Sequence, residues 1–422
     1  MVVGQAMARV LVFSTLYPNA AQPDHGVFVE NRLLHTLALG GVQATVIAPV
    51  PWFPSEDPRF GRYAVFAKVP RHEVRNGLQV WHPRYPVIPK IGSRWTPAFL
   101  HQAALRTARR LLARGEVFDL IDAHYFYPDG VAAARLGRSL GLPLVITGRG
   151  TDLTLIPQDP VARAQILWAA REASANLTVC EDLRRKLVGV GAPEDRTMTL
   201  RNGVDLDRFS PGDREGARTA LGVSGFVILS VGALIPRKGH ELTLQALQRL
   251  PDCSLLIAGE GPLLAQLQAL ASTLGVADRV RFLGGVPHAE LPRLYRAADL
   301  SVLASDREGW ANVLLESMAC GAPVVATDVN GAAEIVRSRA AGLLVRTRTA
   351  EALARAVRDL HGDPPSRSET RRYAEDFGWS QVAQANRALF QAVADAGFTH
   401  RHSVEIVRSA QRHLAAVLER AV

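Results

Sequence analysis

The chain predicts an α/β protein made of two Rossmann-like, doubly wound parallel-sheet domains followed by a helical tail, and three observations carry that expectation. Its 422 residues, 48% of them apolar, suffice for two cores of ordinary domain size. From Arg9 onward, short β-rich runs alternate with amphipathic helical stretches, the pattern of a parallel sheet covered on both faces. After a polar stretch at 202–225 the same alternation starts afresh.

In chain order, residues 9–17 read as the first strand, 29–39 as a helix ended by Gly40-Gly41, and 43–48 as a strand ended by Pro49. Residues 51–97, rich in proline, aromatic and basic side chains, show no clean period and read as a long irregular excursion. A helix at 97–114 and strands at 120–123, 144–147 and 176–179 complete the first cycle. The second has strands at 227–231, 254–258, 280–283, 300–303 and 323–326. Residues 364–368 break the pattern, and the tail from Glu369 reads as helical, with an amphipathic stretch at 404–418. The expected division is therefore 7–204, 205–363, and a tail 364–422 packing across both domains.

The formal charge of +9 is spread along the chain without a block of five or six like charges, which argues against a nucleic-acid arm and leaves acidic ligands or a membrane surface as partners. Only four basic residues are lysines (Lys68, Lys90, Lys186, Lys238), so the composition favours arginine wherever a generic positive charge suffices and each lysine merits inspection. Cys180, Cys253 and Cys320 lack any spacing for a disulfide framework or zinc site and read as small core residues of a reducing compartment. The apolar run 10–16 is too short to span a bilayer and has no small-residue cleavage site, so the expected location is cytoplasmic.

Chemistry concentrates in two segments. In the first, Ser230 to His240, the residues Gly232, Arg237, Lys238 and Gly239 lie where a strand turns into a helix, the edge at which open α/β sheets take ligands. A helix start with two cations suits a diphosphate, whereas an isolated Arg-Lys pair more often just solvates a loop. The second segment, Asp306 to Gly321, carries Glu308 and, eight residues on, Glu316 across a predicted helix start. That offset spans up to roughly 12 Å, about the distance between the two sugars of a nucleotide sugar. Glu316 suits a ribose diol, and Glu308 suits the transferred sugar and positive charge developing at its anomeric carbon.

The run Glu308-Gly-Trp-x-Asn-Val-x-Leu-Glu316, continuing to Cys320-Gly-x-Pro-Val-Val-Ala326, resembles the GT-B glycosyltransferases of family GT4. So do Ser14-x-x-Tyr17-Pro18, His25-Gly26-x-Phe28, Asn202-Gly-Val-Asp205, Ala258-Gly-Glu-Gly-Pro262, Phe282-Leu-Gly284 and Leu294-Tyr295. The similarity covers nearly the whole chain and is greatest to surface-polysaccharide and teichuronic-acid type transferases.

The resemblance implies two domains facing across a cleft and transfer of a sugar from a nucleoside diphosphate to a glycan or lipid-linked acceptor. It also implies retained anomeric configuration and no metal or other cofactor. By it, Arg237 and Lys238 grip the donor phosphates beside Gly232, the backbone after Leu283 through Val286 faces the base, and Glu316 takes the ribose. Glu308 with the segment Gly309, Trp310, Asn312 and Val313 holds the transferred sugar, and Gly26 lets backbone approach the diphosphate. His124, Arg149 and Asp152 fall at cleft-facing strand ends of the acceptor domain. Many members carry histidine where Arg149 stands, and arginine cannot act as a base. Acceptor deprotonation then falls to a phosphate oxygen or an unassigned group. For His124 a buried hydrogen-bonded histidine is the competing reading, and for Asp152 a helix cap.

The helix at 97–114 mixes apolar residues with Arg106, Arg109, Arg110 and Arg114, which fits peripheral contact with the inner membrane face or an ordinary Arg-rich surface helix. A nucleotide-sugar epimerase, a phosphorylase or a non-catalytic nucleotide-sugar binding protein are the competing functions. A nicotinamide dehydrogenase is disfavoured because Phe13-Ser-Thr-Leu-Tyr-Pro18 stands where G-x-G-x-x-G belongs.

Overall fold

A computed structural model describes residues 7–88, 94–398 and 408. Two compact units divide the chain. One takes the chain up to Arg201 and again from Ser380, and the other takes 202–379.

Among the described residues the first unit holds ten strands: β1 (Ala8–Phe13), β2 (Val42–Ile47), β3 (Val50–Pro51), β4 (His72–Arg75), β5 (Leu78–Trp81), β6 (Arg84–Tyr85), β7 (Leu120–His124), β8 (Leu144–Gly148), β9 (Ala175–Thr178) and β10 (Thr197–Thr199). Eight of them form a sheet in the order β10-β9-β8-β7-β1-β2-β5-β4, parallel except for β4. Its central strands are buried on both faces, which is why β1 and β8 read as unbroken apolar runs. The chain order reverses between β1 and β7, so the carboxyl ends of these two strands form the switch point of the sheet.

The second unit repeats the plan with β11 (Phe226–Val231), β12 (Cys253–Ala258), β13 (Val280–Gly284), β14 (Leu300–Leu303), β15 (Val324–Thr327) and β16 (Gly342–Val345), in the order β13-β12-β11-β14-β15-β16. Every pairing is parallel. This is the 3-2-1-4-5-6 order of a dinucleotide-binding fold, with its switch point between β11 and β14. Leu229, Leu255, Ile257 and Val325 fill the core between this sheet and its helices.

Two expectations need correction. The 51–97 excursion is structured: it contains a helix (Arg62–Lys68) and a hairpin, β4–β5, that extends the main sheet. Asn76 and Gly77 at the hairpin tip both have positive φ, as a type I′ turn requires. The first strand ends at Phe13, because the Ser14 hydroxyl and the Leu16 backbone bond to each other and turn the chain. The tail divides between the two units. Helix Arg367–Glu375 stays with the second unit, where the Arg371 guanidinium donates to carbonyls of Leu206, Phe209 and Ala319. Helix Trp379–Ala396 packs, from Ser380, with the first unit, Asn386 donating to the Thr36 hydroxyl and Arg387 to the Leu39 carbonyl. The expected helix at 404–418, apart from Arg408, and Lys90 lie outside the described residues.

Cys180, Cys253 and Cys320 are buried free thiols. Among the described residues no helix is long and apolar enough to cross a membrane.

Candidate functional site

The second unit gathers three of the expected residues at its switch point. Beyond β11 the chain passes Gly232 and makes a short 3-10 turn, Pro236–Lys238, before helix His240–Leu247. Gly239 joins the two at φ 67°, and a Cβ there would lie 2.1 Å from the Ala304 carbonyl oxygen beyond β14. The glycine therefore allows the two switch-point loops to touch. They are also tied by the Asp306 amide, which donates to the Arg237 carbonyl at 2.9 Å.

Glu308 is thereby placed against both cations. Its Oε1 lies 2.6 Å from Lys238 Nζ and its Oε2 lies 3.4 Å from Arg237 Nη1. The Ser305 hydroxyl also donates to Oε1 at 2.7 Å, and Asn330 Oδ1 accepts the Glu308 amide at 3.1 Å. The carboxylate is 9% exposed and Lys238 14%, so this charged cluster is largely shielded from solvent screening. Gly232 lies against the Lys238 stem, and His240, bonded to Ser230 Oγ at 3.1 Å and to the Gly232 carbonyl at 3.2 Å, holds the loop.

Glu316 sits within helix Asn312–Ala319 and is buried. Its carboxylate accepts from the Tyr295 hydroxyl at 3.1 Å and lies 3.1 Å from His288 Nε2. Burial and the neighbouring Glu316 push the Tyr295 phenol well above its usual range, so it stays a hydroxyl donor. Gly309 and Trp310 precede this helix, Asn312 and Val313 open it as half-buried residues, and Trp310 is buried. Leu283 is half-buried near the end of β13, an edge strand, with Val286 just beyond it.

Sequence reasoning missed His240, His288, Asn330 and Ser305. Tyr295 stood in a matching segment, but nothing in its spacing to Glu316 showed that the two meet.

In the first unit, the switch-point loops are joined by Asp129, which accepts from the Thr15 amide at 2.6 Å and the Thr15 hydroxyl at 2.9 Å. Gly26, at φ 75°, begins helix Val27–Ala38, and a Cβ on it would meet the Leu16 carbonyl oxygen at 2.3 Å. Phe28, on the first turn of that helix, lies under the Arg149 guanidinium, 5.1 Å from the ring centroid.

His124, Arg149 and Asp152 do cluster, but as buried groups. Arg149 donates to His124 Nδ1 at 2.7 Å, and His124 Nε2 lies 3.1 Å from Asp122. This assigns the Nε2–H tautomer. Burial, reinforced by the charges of Arg149 and Arg32, lowers the His124 pKa to about 4 despite Asp122, so the ring is neutral near pH 7. Asp152 accepts the amides of Phe126 at 2.8 Å, Gly150 at 2.7 Å and Arg149 at 3.0 Å. These bonds shape the loop after β8. His124 likewise positions Arg149, which at 8% exposure is the member of the three nearest to solvent.

Asp129 supports a prediction about pH. Burial raises its pKa to about 7, against the lowering effect of Thr15, whereas an unfolded aspartate titrates near roughly 4. The folded state therefore binds this proton more tightly. The stability it contributes is complete below about pH 4 and is lost as pH rises through about 7. Asp129→Asn removes the titration. The melting-temperature advantage of the native chain over this variant is expected to shrink steadily between about pH 5 and 8 in scanning calorimetry; a constant difference would contradict the assignment.

Two doubly wound parallel-sheet units, the second with paired cations and buried carboxylates around its switch point, define the class of GT-B glycosyltransferases. Residues 214–377 match the family model "Glycosyl transferases group 1" and residues 31–208 match "Glycosyltransferase Family 4". The chain belongs to glycosyltransferase family 4. It is 35% identical to a D-inositol 3-phosphate glycosyltransferase of Geodermatophilus obscurus, over 66% of this chain and 67% of that one. It is 28% identical to TuaC of Bacillus subtilis, assigned by name to teichuronic acid biosynthesis, over 92% of this chain and 95% of that protein. Among solved structures, sucrose-phosphate synthase (tll1590) from Thermosynechococcus elongatus shares the fold with a TM-score of 0.70 at 20% identity, covering 97% of this chain and 100% of that one. Anabaena Alr3699/HepE in complex with UDP and glucose does so with a TM-score of 0.65 at 20% identity and the same coverage.

Proposed function

We propose that this glycosyltransferase moves a hexosyl group from a nucleoside-diphosphate sugar to a glycan or lipid-linked acceptor in cell-surface polysaccharide biosynthesis, retaining the anomeric configuration and needing no metal. The observation that carries this reading is the bridging of Glu308 by Lys238 and Arg237 at the switch point. The relation to TuaC supports the polysaccharide setting.

In this reading the donor diphosphate takes over the hydrogen bonds of Lys238 and Arg237, freeing Glu308 to face the sugar. The bond between the anomeric carbon and the diphosphate oxygen breaks, and the two cations stabilise the negative charge left on that oxygen. Glu308 stabilises the positive charge developing on the anomeric carbon, while Glu316, fixed by Tyr295 and His288, receives the ribose hydroxyls. The acceptor hydroxyl oxygen bonds to the carbon, and its proton passes to the departing phosphate oxygen. With two cations present, charge neutralisation does not require Mg²⁺.

The test is an assay with a panel of nucleotide sugars and lipid-linked or oligosaccharide acceptors, in excess EDTA, with the product anomer read by proton NMR. The expected result is undiminished turnover and a product of the same anomeric configuration as the donor. A complete loss restored by Mg²⁺, or an inverted product, would overturn the corresponding part of the proposal.

A further inference from the structure

A second concentration of positive charge lies in the first unit, away from the loops described above. Helix Thr96–Leu112 and the segment 81–84 enclose a pocket of about 300 Å³ whose lining includes Arg71, Arg84, Arg106, Arg110, Arg114 and Trp81. No carboxylate is among its lining residues. Arg106 and Arg110, four residues apart on one helix face, are roughly 5–6 Å apart, and Arg114 follows just beyond the helix end.

Several arginines elsewhere in the chain are neutralised by carboxylates. Arg9 pairs with Asp119, Arg75 with Glu30, Arg214 and Arg218 with Asp299, and Arg371 with Glu375. Among the described residues none of the five pocket arginines forms an ion pair with a carboxylate, although they share one concavity where like charges repel. Arg84 is half-buried and donates to the carbonyls of Val69 and His82. Arg114 lies over the Trp81 ring, 5.7 Å from its centroid, and the buried Trp81 indole N–H has no acceptor among the described residues. Guanidinium groups present forked donors that match phosphate oxygens, and an anion here would relieve the repulsion as well as accept their hydrogen bonds.

We propose that this pocket is a binding site for a phosphate or diphosphate group, carried either by a soluble phosphorylated molecule or by an anionic lipid headgroup. The site does not depend on the donor assignment in the second unit. A lipid headgroup would place the helix Thr96–Leu112 against the membrane, and a soluble phosphate would make the pocket a subsite for an acceptor or effector.

The test uses the full chain, an Arg106→Gln/Arg110→Gln variant, and both in an Arg237→Ala/Lys238→Ala background that removes the competing cations of the second unit. Inorganic pyrophosphate is titrated by calorimetry, and flotation is measured with vesicles of phosphatidylglycerol or of phosphatidylcholine. Both pocket arginines are exposed, so the melting temperature is expected to be unchanged, and Arg114→Gln serves as an independent second variant. A soluble-phosphate site gives pyrophosphate binding that the glutamine pair weakens at least about tenfold and that falls with added salt. A headgroup site gives flotation with phosphatidylglycerol alone, lost in the same variant. If neither probe binds, or the glutamine pair and Arg114→Gln both leave binding within about twofold of native, the proposal is wrong.

Discussion

Replacing Lys238 by alanine is expected to lower kcat by at least about a hundredfold while leaving the melting temperature nearly unchanged. The ammonium group is the nearer of the two cations to Glu308, at 2.6 Å, and it is held on a loop whose shape is set by Gly239 and His240 rather than by the lysine itself. Its removal leaves Glu308 with Arg237 and Ser305 as partners, so the fold persists. In the proposed mechanism, what is lost is a charge aimed at the oxygen on which negative charge accumulates, an interaction stronger in the transition state than with bound donor. The loss should therefore appear in kcat more than in KM. Lys238→Arg is expected to recover only part of the activity, because a planar fork does not reproduce a compact ammonium at that distance. Steady-state kinetics with saturating donor would check this, and a variant within about threefold of native would exclude Lys238 from the reacting centre.

Glu308→Gln is expected to cost at least about a hundredfold as well, for the opposite charge. Glutamine keeps the size of the side chain and can still accept from Ser305, so the loop from Asp306 to Gly309 should stay in place. It cannot stabilise a carbocation-like anomeric centre, and it no longer neutralises the two cations in the free protein. A second signature follows from that change: with Lys238 and Arg237 released from their carboxylate, the diphosphate product should bind more tightly to Glu308→Gln than to the native chain. Isothermal titration with UDP and kcat measurements together separate this from a folding defect. Weaker product binding combined with normal turnover would refute the role assigned to Glu308.

Much of the architecture was legible because strands of a doubly covered parallel sheet are continuous apolar runs, as in β1, β8 and β12. The β4–β5 hairpin escaped because β4 is half exposed and carries His72, Glu73 and Arg75, so its pattern is weak; the Asn76-Gly77 pair was the available signal. β10, only three residues long, is too short for its period to stand out. In the site, Arg237, Lys238, Glu308 and Glu316 were legible through their motifs. The direct ion pairs between Glu308 and the cations were not, since they join residues about seventy positions apart. The same holds for Glu316 with Tyr295 and His288. Arg149 was visible as a departure from the commoner histidine, but the neutral His124 that holds it depends on burial that spacing does not reveal.

In the proposed mechanism a diphosphate displaces a carboxylate from two cations, and the most direct measurement is a crystal structure of the protein with UDP, the nucleotide present in the Anabaena structure of the same fold. The expected result is a diphosphate within hydrogen-bond distance of Lys238 Nζ and Arg237, with the ribose hydroxyls on Glu316 and the Glu308 carboxylate turned away from Lys238. UDP bound with its phosphates remote from Lys238 and Arg237, or with the Lys238–Glu308 pair intact beside it, would contradict it.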